Sequence, residues 1–418
     1  MPGSFSFLQE QDRITGLIQG KGMSMTVAIE PRVVPKVSVW NDPKIRAMFF
    51  QAALVIVLLF LAYEIVANTI SNLQRLNKDF GFAFLKRTAG FDIIQTLVPY
   101  TSASNFGTAL YVGFLNTVLI SFLSIIAATI IGFVVGLMRL SKNWLASRIA
   151  TLYIEIFRNV PLLLWIFVFY SAIRQPLPDA RNALNLFDSF FLSKKGLMVP
   201  KPLFGDGSWI GMAAFVLAIV ASIVVARWSK SRQEATGQTF PVFWASLALI
   251  IGLPLLGFAV AGFPLTWELP ALKGFNFSGG LAVLPEFIAL FLALSIYTAT
   301  YIAEAVRAGV LSVSHGQTEA AHALGIGTSS TLRLVVVPQA MRVVIPPLAS
   351  TYLSLTKNSS LAVAIGYPDL VATGGTVLNQ TGKAIEIVSL WMLVYLSLSL
   401  LTSLLMNWFN SRMKLVER

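Results

Sequence analysis

Cysteine is missing altogether, and histidine occurs only twice, at His315 and His322. The first absence removes disulfides, thiolate metal sites and cysteine nucleophiles. Two imidazoles on one short stretch, with no third ligand nearby, make a poor metal site, so ordinary surface histidine is expected there. Charge is scarce too: Asp, Glu, Lys and Arg make up 12% of the 418 residues, against 56% hydrophobic residues. With a mean hydropathy of +0.73, that balance excludes a soluble protein of this length and indicates a polytopic membrane protein. A nucleotide-binding P-loop is also lacking. Gly20-Lys21 is followed by Gly22 and Gly382-Lys383 by Ala384, and neither pair has the earlier glycine and following Ser/Thr that cradle phosphates. No catalytic constellation, tandem duplication or low-complexity tract is evident. The start of the chain lacks a compact basic segment, an apolar core and a cleavage site, so no signal peptide is expected.

Long apolar runs are what the chain does have. After a polar tail over 1–46, expected to be cytoplasmic, Asn41 or Asp42 with Pro43 reads as the cap and first residue of a helix. The first span is expected at 47–67. A connector follows to residue 108, with a helix lying on the membrane surface. Further runs lie near 109–138, 149–173, 209–226, 241–262, 285–305, 342–365 and 386–408. Each is near the ~20 residues a bilayer requires, giving eight spans and both termini on one side. The tail, alternate loops and C-terminus on that side hold 18 Lys and Arg, and the opposite loops hold 11. Cytoplasmic loops carry the excess of basic residues, so the termini are placed in the cytoplasm. The net charge of +12 then reflects topology, not nucleic acid.

Residues 304–366 organise the rest. Gln317 to Leu324 has no helix breaker. Gly325 and Gly327 allow the left-handed turn that ends a helix. Thr328, Ser329 and Ser330 are candidate caps of a second short helix, which Pro338 is expected to stop or kink. The result is a compact helical hairpin with small Ala320 and Ala321 on its surface, where another backbone can approach, and one carboxylate, Glu319. An ordinary connector with common turn chemistry has the same local features.

Glu319-Ala320-Ala321, Gly325 four residues on, and the ending Val335-x-Val337-Pro338 resemble the EAA loop of ABC-importer permeases. The flanking GQTEAAHALG and VPQAMRVVIPPLAS resemble permeases for polar amino acids, and the long form is similar to the Q-type subunit of Aap-like general L-amino-acid importers. The resemblance covers roughly 109–410. It implies an all-α integral membrane fold of about eight helices. The type I core of five would be 109–138, 149–173, 285–305, 342–365 and 386–408, with one added N-terminal helix and a two-span insertion at about 175–284. Residues 411–418 would be a cytoplasmic end. It also implies that Glu319, Ala320, Ala321 and Gly325 couple to an ATPase. Expected partners are a second permease subunit, a homologous heterodimer partner, with two ATPase subunits that carry ATP and Mg, and a periplasmic amino-acid-binding protein. The location implied is the bacterial inner membrane; no cofactor is expected on this chain.

Charges inside spans cost at least ~2.5 kcal/mol each near a helix centre. Glu155 and Arg158, three apart on one helical face, can neutralise one another, and so can Glu304 and Arg307. Asn159 and Pro161 follow Arg158, and the proline frees a backbone carbonyl. Thr356, Lys357, Asn358, Ser359 and Ser360 suggest an interrupted helix lining a cavity. Arg158 and Lys357 can meet a substrate carboxylate; Glu155, Asn358 and Ser359 can meet its ammonium. The alternatives are a structural ion pair for Glu155–Arg158 and a snorkelling Lys357. Glu386 and Glu64 are expected to reach headgroups, and Trp144, Trp209 and Trp408 to anchor at the interface. An ion-coupled secondary transporter needs an unpaired membrane carboxylate, whereas Glu155 and Glu304 each have an arginine close in sequence. A purely structural scaffold predicts that neither Arg158 nor Lys357 affects uptake.

Overall fold

The computed structural model describes residues 43–75, 81–274 and 276–413. The expected cap at Asn41 or Asp42, the tail before it and residues 414–418 lie outside the described residues. The chain divides into two units, 1–79 and 80–418. In the first, helix α1 runs Pro43–Arg75, beginning at Pro43 as expected and continuing past residue 67. No side chain over Ile45–Asn72 is buried, and most are apolar, which suits a helix surrounded by lipid.

The second unit is a helical bundle. Its first helix, α2 (Phe106–Arg139), is capped by Asn105, whose side chain accepts the Thr108 N–H at 2.8 Å. Asn143 caps α3 (Trp144–Asn159) in the same way. The span expected over 149–173 is not one helix. It breaks into α3 and α4 (Leu162–Arg174), bent by 106°. Pro161 forces the preceding residue out of the helical region, and Val160 is extended at φ −112°, ψ 133°. Phe157 and Trp165 pack across the corner with ring centroids 4.3 Å apart.

Next come four strands, β1 (Leu184–Leu186), β2 (Phe190–Ser193), β3 (Gly196–Val199) and β4 (Lys201–Phe204). They lead into a helical hairpin of α5 (Ser208–Thr236) and α6 (Val242–Val260). Four more strands follow it: β5 (Leu265–Glu268), β6 (Ala271–Lys273), β7 (Asn276–Ser278) and β8 (Leu281–Val283). β3 pairs with β8 and β4 with β5, all antiparallel, so the chain entering the hairpin is zipped to the chain leaving it. The four-stranded sheet has the order β1-β2-β3-β8. These strands qualify the all-α expectation: the apolar spans are helical, and the eight strands among the described residues fall inside the expected insertion.

The core helices follow. They are α7 (Pro285–Leu311), α8 (His315–Ala323), the short α9 (Thr328–Thr331) and α10 (Val337–Asn358). After these come α11 (Leu370–Thr381) and α12 (Ala384–Met413). Among the described residues, seven helices are long and apolar enough to cross a membrane, or eight spans if the bent pair counts as one. α2 and α7 pack most closely, because Ala128, Gly132 and Gly136 recur every four residues along α2. A Cβ on Gly132 would lie 2.6 Å from Ile302, and one on Gly136 would lie 2.8 Å from the Ala303 carbonyl. Small residues at that spacing let membrane helices approach to backbone contact.

After α1, the helix found among the described residues of the connector before residue 108 is a short 3-10 helix, Phe82–Lys86. Phe84 and Ala89 instead join Phe106, Leu370 and Ile387 in a buried cluster. Glu386 does not reach outward: it is 4% exposed and accepts the Gly81 N–H at 3.1 Å.

Candidate functional site

α8 and the turn after it carry the EAA residues. The helix ends in a Schellman turn. Gly325 sits at φ +77°, its N–H donates to the His322 carbonyl at 2.9 Å, and the Ile326 N–H donates to the Ala321 carbonyl at 3.1 Å. A side chain at 325 would meet no atom within 4 Å, so glycine is required there by backbone conformation and not by space. Gly327 is not left-handed. It is extended and stands at the cap of α9, and the Thr328–Ser330 side chains make no cap bond. Nor does Pro338 stop the chain. A π-helical turn over Leu332–Val336 precedes it, and Pro338 is the second residue of α10, so the helical path bulges before the proline and continues past it. Residues 328–365 therefore form one continuous span.

Glu319 and Ala320 are exposed, but Ala321 is 4% exposed and faces inward, against expectation. Glu319 is 3.0 Å from His315 Nδ1, one helical turn back. Beside them Leu324 is 80% exposed. It is an apolar knob on the hairpin surface that motif reading passed over, although its place between the EAA run and Gly325 was visible.

The second candidate region is a cleft of about 400 Å³ between α7 and α10. Tyr297, Tyr301, Ser350, Thr351, Ser354 and Asn358 line it. On α10 the polar lining falls at positions 350, 351, 354 and 358, a stripe at helical spacing. Thr351 Oγ1 donates to the Pro347 carbonyl at 2.9 Å and Ser354 Oγ to the Ser350 carbonyl at 3.0 Å. Their protons are spent on the backbone, which leaves oxygen lone pairs for a ligand. Tyr297 and Tyr301 hydroxyls lie 2.8 Å apart. The Arg158 guanidinium stands over the Tyr301 ring, 5.1 Å from its centroid, so a cation borders a wall of hydrogen-bond acceptors.

Of the residues expected on the substrate path, Asn358 lines the cleft, and Arg158 borders it through Tyr301. Glu155 and Arg158 do not form the expected pair. Among the described ion pairs Glu155 has none with Arg158, and the guanidinium has turned to Tyr301 instead. Lys357 is exposed and is not part of the cleft wall. Ser359 is fully buried, and its hydroxyl donates to the Thr356 carbonyl at 2.7 Å. It ends α10, and the chain continues directly as a 3-10 helix to Ile365, so the expected interruption is a tightening of the helix and not a break. Tyr297, Tyr301, Ser350, Thr351 and Ser354 were missed. Their signal was polar groups three to four apart within apolar runs, weaker than a charge. Near one end of the cleft helix, Glu304 is gripped by Arg307 at 2.6 Å and by Arg139 of α2. Among the described residues no cluster of His, Asp and Glu could hold a metal.

A many-span helical bundle with a polar cleft between two of its apolar helices has the make-up of a membrane transport component. The comparisons name its kind. Residues 235–415 match the family described as binding-protein-dependent transport system inner membrane component. The general L-amino acid transport system permease AapQ of Rhizobium johnstonii is 54% identical, over 91% of this chain and 95% of the relative. The glutamate/glutamine/aspartate/asparagine transport system permease BztB of Rhodobacter capsulatus is 42% identical, over 90% and 96%. The glutamate/aspartate import permease GltJ of Escherichia coli is 25% identical, over 74% and 91%. The chain belongs to the binding-protein-dependent ABC transport permeases, the inner-membrane components of such systems. Nothing favours the ion-coupled alternative, since Glu304 held between two arginines is a poor proton carrier.

Proposed function

We propose that this chain is one of two permease subunits in an ATP-driven importer for polar L-amino acids, and that its cleft forms half of the path. The observation that carries this is the cleft itself. Hydroxyls of Tyr297, Tyr301, Ser350 and Ser354 stand on two apolar spans, and Tyr301 is 37% exposed. Such groups are costly against lipid; a second, homologous subunit would close the cleft. A zwitterion fits the lining: Arg158 takes the carboxylate, and the Thr351 and Ser354 oxygens with Asn358 take the ammonium.

Two ATPase subunits, carrying ATP and Mg, seat the hairpin of Glu319, Ala320 and Gly325 at the cytoplasmic face, with Leu324 as an apolar anchor. Buried Ala321 sets the hairpin's own packing. A periplasmic binding protein delivers the amino acid on the opposite side, and both termini are cytoplasmic. Closure of the ATPase pair moves α8 and rocks the paired spans. The test is amino-acid uptake by the reconstituted complex. Gly325→Pro forces φ from +77° to about −65° and deletes a capping donor. It should cut ATP-driven uptake by about 100-fold or more, the equivalent of ~3 kcal/mol, while the complex still assembles. Uptake that persists in this variant, or in vesicles stripped of ATP, would end the proposal.

A further inference from the structure

The turn joining β1 to β2 holds two consecutive residues in the left-handed region, Phe187 at φ +58° and Asp188 at φ +50°. The Ser189 N–H closes the turn on the Leu186 carbonyl at 3.4 Å. Such turns favour Asn-Gly. Asp188 is accounted for, because short polar side chains tolerate this conformation and Asn185 Nδ2 donates to its carboxylate. Phe187 is not: a bulky residue there is an outlier that the fold must hold in place. It gains nothing from packing within the chain, since it is 83% exposed. Leu184 and Leu186 beside it are each 59% exposed. β1 is also the end strand of its sheet, so its outer edge is open for a neighbour.

We propose that this hairpin is a docking finger for the substrate-binding protein, with the Phe187 ring as its anchor. The inference rests on the importer reading above, which places β1 and β2 on the periplasmic side. An exposed ring held at the cost of strain, next to aliphatic side chains and bordered by Asn185 and Asp188, has the make-up of an interface hot spot with a polar rim. Lipid is the poorer occupant. Asp188 shares the tip with Phe187, and a carboxylate there opposes insertion among acyl chains and is repelled by anionic headgroups. The surface it fits is an apolar pocket on the binding protein, rimmed by donors for the Asp188 carboxylate.

Phe187→Gly separates docking from folding, because glycine adopts the turn without strain. In the complete complex in nanodiscs, ATPase activity is titrated with purified, amino-acid-loaded binding protein. Phe187→Gly should raise the half-saturating concentration about tenfold or more, leave the plateau unchanged and leave thermal stability equal or higher. Phe187→Trp should restore the half-saturating concentration to within about threefold of the original. An unchanged half-saturating concentration in Phe187→Gly overturns the docking finger while the importer reading stands. A lower plateau at the same half-saturating concentration, or loss of stability, would assign Phe187 a structural or lipid-facing role instead. Absence of any stimulation in the unaltered complex brings down both readings.

Discussion

At one end of the bundle, Asn116 of α2 donates from its amide to the Gln95 carbonyl at 3.0 Å and the Pro368 carbonyl at 2.9 Å. Thr117 accepts the Leu370 N–H at 3.0 Å, and Trp391 donates to the Leu370 carbonyl at 3.1 Å. Asn116, Thr117 and Asp369 are all fully buried. At the other end of α2, Arg139 joins Arg307 of α7 in holding Glu304, and these three side chains are 25–31% exposed. The first end is a dry knot of buried polar groups that binds α2, the chain before it, the start of α11 and α12. The second is a half-wet ionic clamp next to α8, the element expected to be moved. Buried hydrogen bonds with no alternative partner resist opening. A partly solvated ion pair can exchange for water at little cost. The contrast assigns rigidity to the Asn116 end and compliance to the Glu304 end.

The largest effect expected is at Asp369. Its Oδ1 accepts the Ala372 N–H at 2.8 Å, whereas Oδ2 is buried without a partner. Burial pushes its carboxyl up to about 7 from 3.8. The folded chain thus keeps a proton that the unfolded chain releases near pH 4. Stability should be greatest below that pH, fall as pH rises to about 7, and level off above. Asp369→Asn keeps a residue suited to capping α11 and removes the titration. Thermal unfolding in micelles should show the fall only in the original protein, amounting to on the order of 4 kcal/mol across the window. Parallel profiles would mean that this end is wet, and the contrast would lose its basis.

Asn116→Ala comes next. It leaves the Gln95 and Pro368 carbonyls buried without donors, at about 2 kcal/mol. The loss should be insensitive to salt, because no charge is involved. A loss that shrinks in high salt would show that the knot is not what the geometry says it is.

How much of this was legible beforehand follows the same divide. Apolar runs gave the spans because lipid imposes length and composition directly. The Glu319-to-Gly325 spacing gave the hairpin because a left-handed residue must end α8. The pairing of Glu304 with Arg307 was also readable, since i,i+3 charges are neighbours on any helix. The knot was not readable. Asn116 and Pro368 are about 250 positions apart, and no local pattern announces a contact that only packing creates. The break at Val160 was half visible: Pro161 predicted freed backbone, but its bend of 106° depends on what packs in the corner. The strands were missed because counting spans treats everything between them as connector. Lys195-Gly196 and Gly279-Gly280, which separate short apolar segments there, were the turn signals.

The smallest effect tests the clamp. Glu304→Gln leaves Arg139 and Arg307 facing one another, with Arg158 nearby on α3, and removes the charge that joins α2 to α7. With a quarter of the carboxylate side chain in contact with solvent, the cost should be about 1 kcal/mol, well below that of a fully buried pair. Unlike the Asn116 change, it should depend on ionic strength, because salt screens the repulsion left between the arginines. Unfolding measured at low and high salt reads both properties at once. A cost equal to that of Asn116→Ala and indifferent to salt would mean that both ends are equally rigid. The motion driven through α8 would then have to bend α7 or α10 along its length, with Pro346 and Pro347 of α10 the places to look, since each removes one backbone donor from the helix.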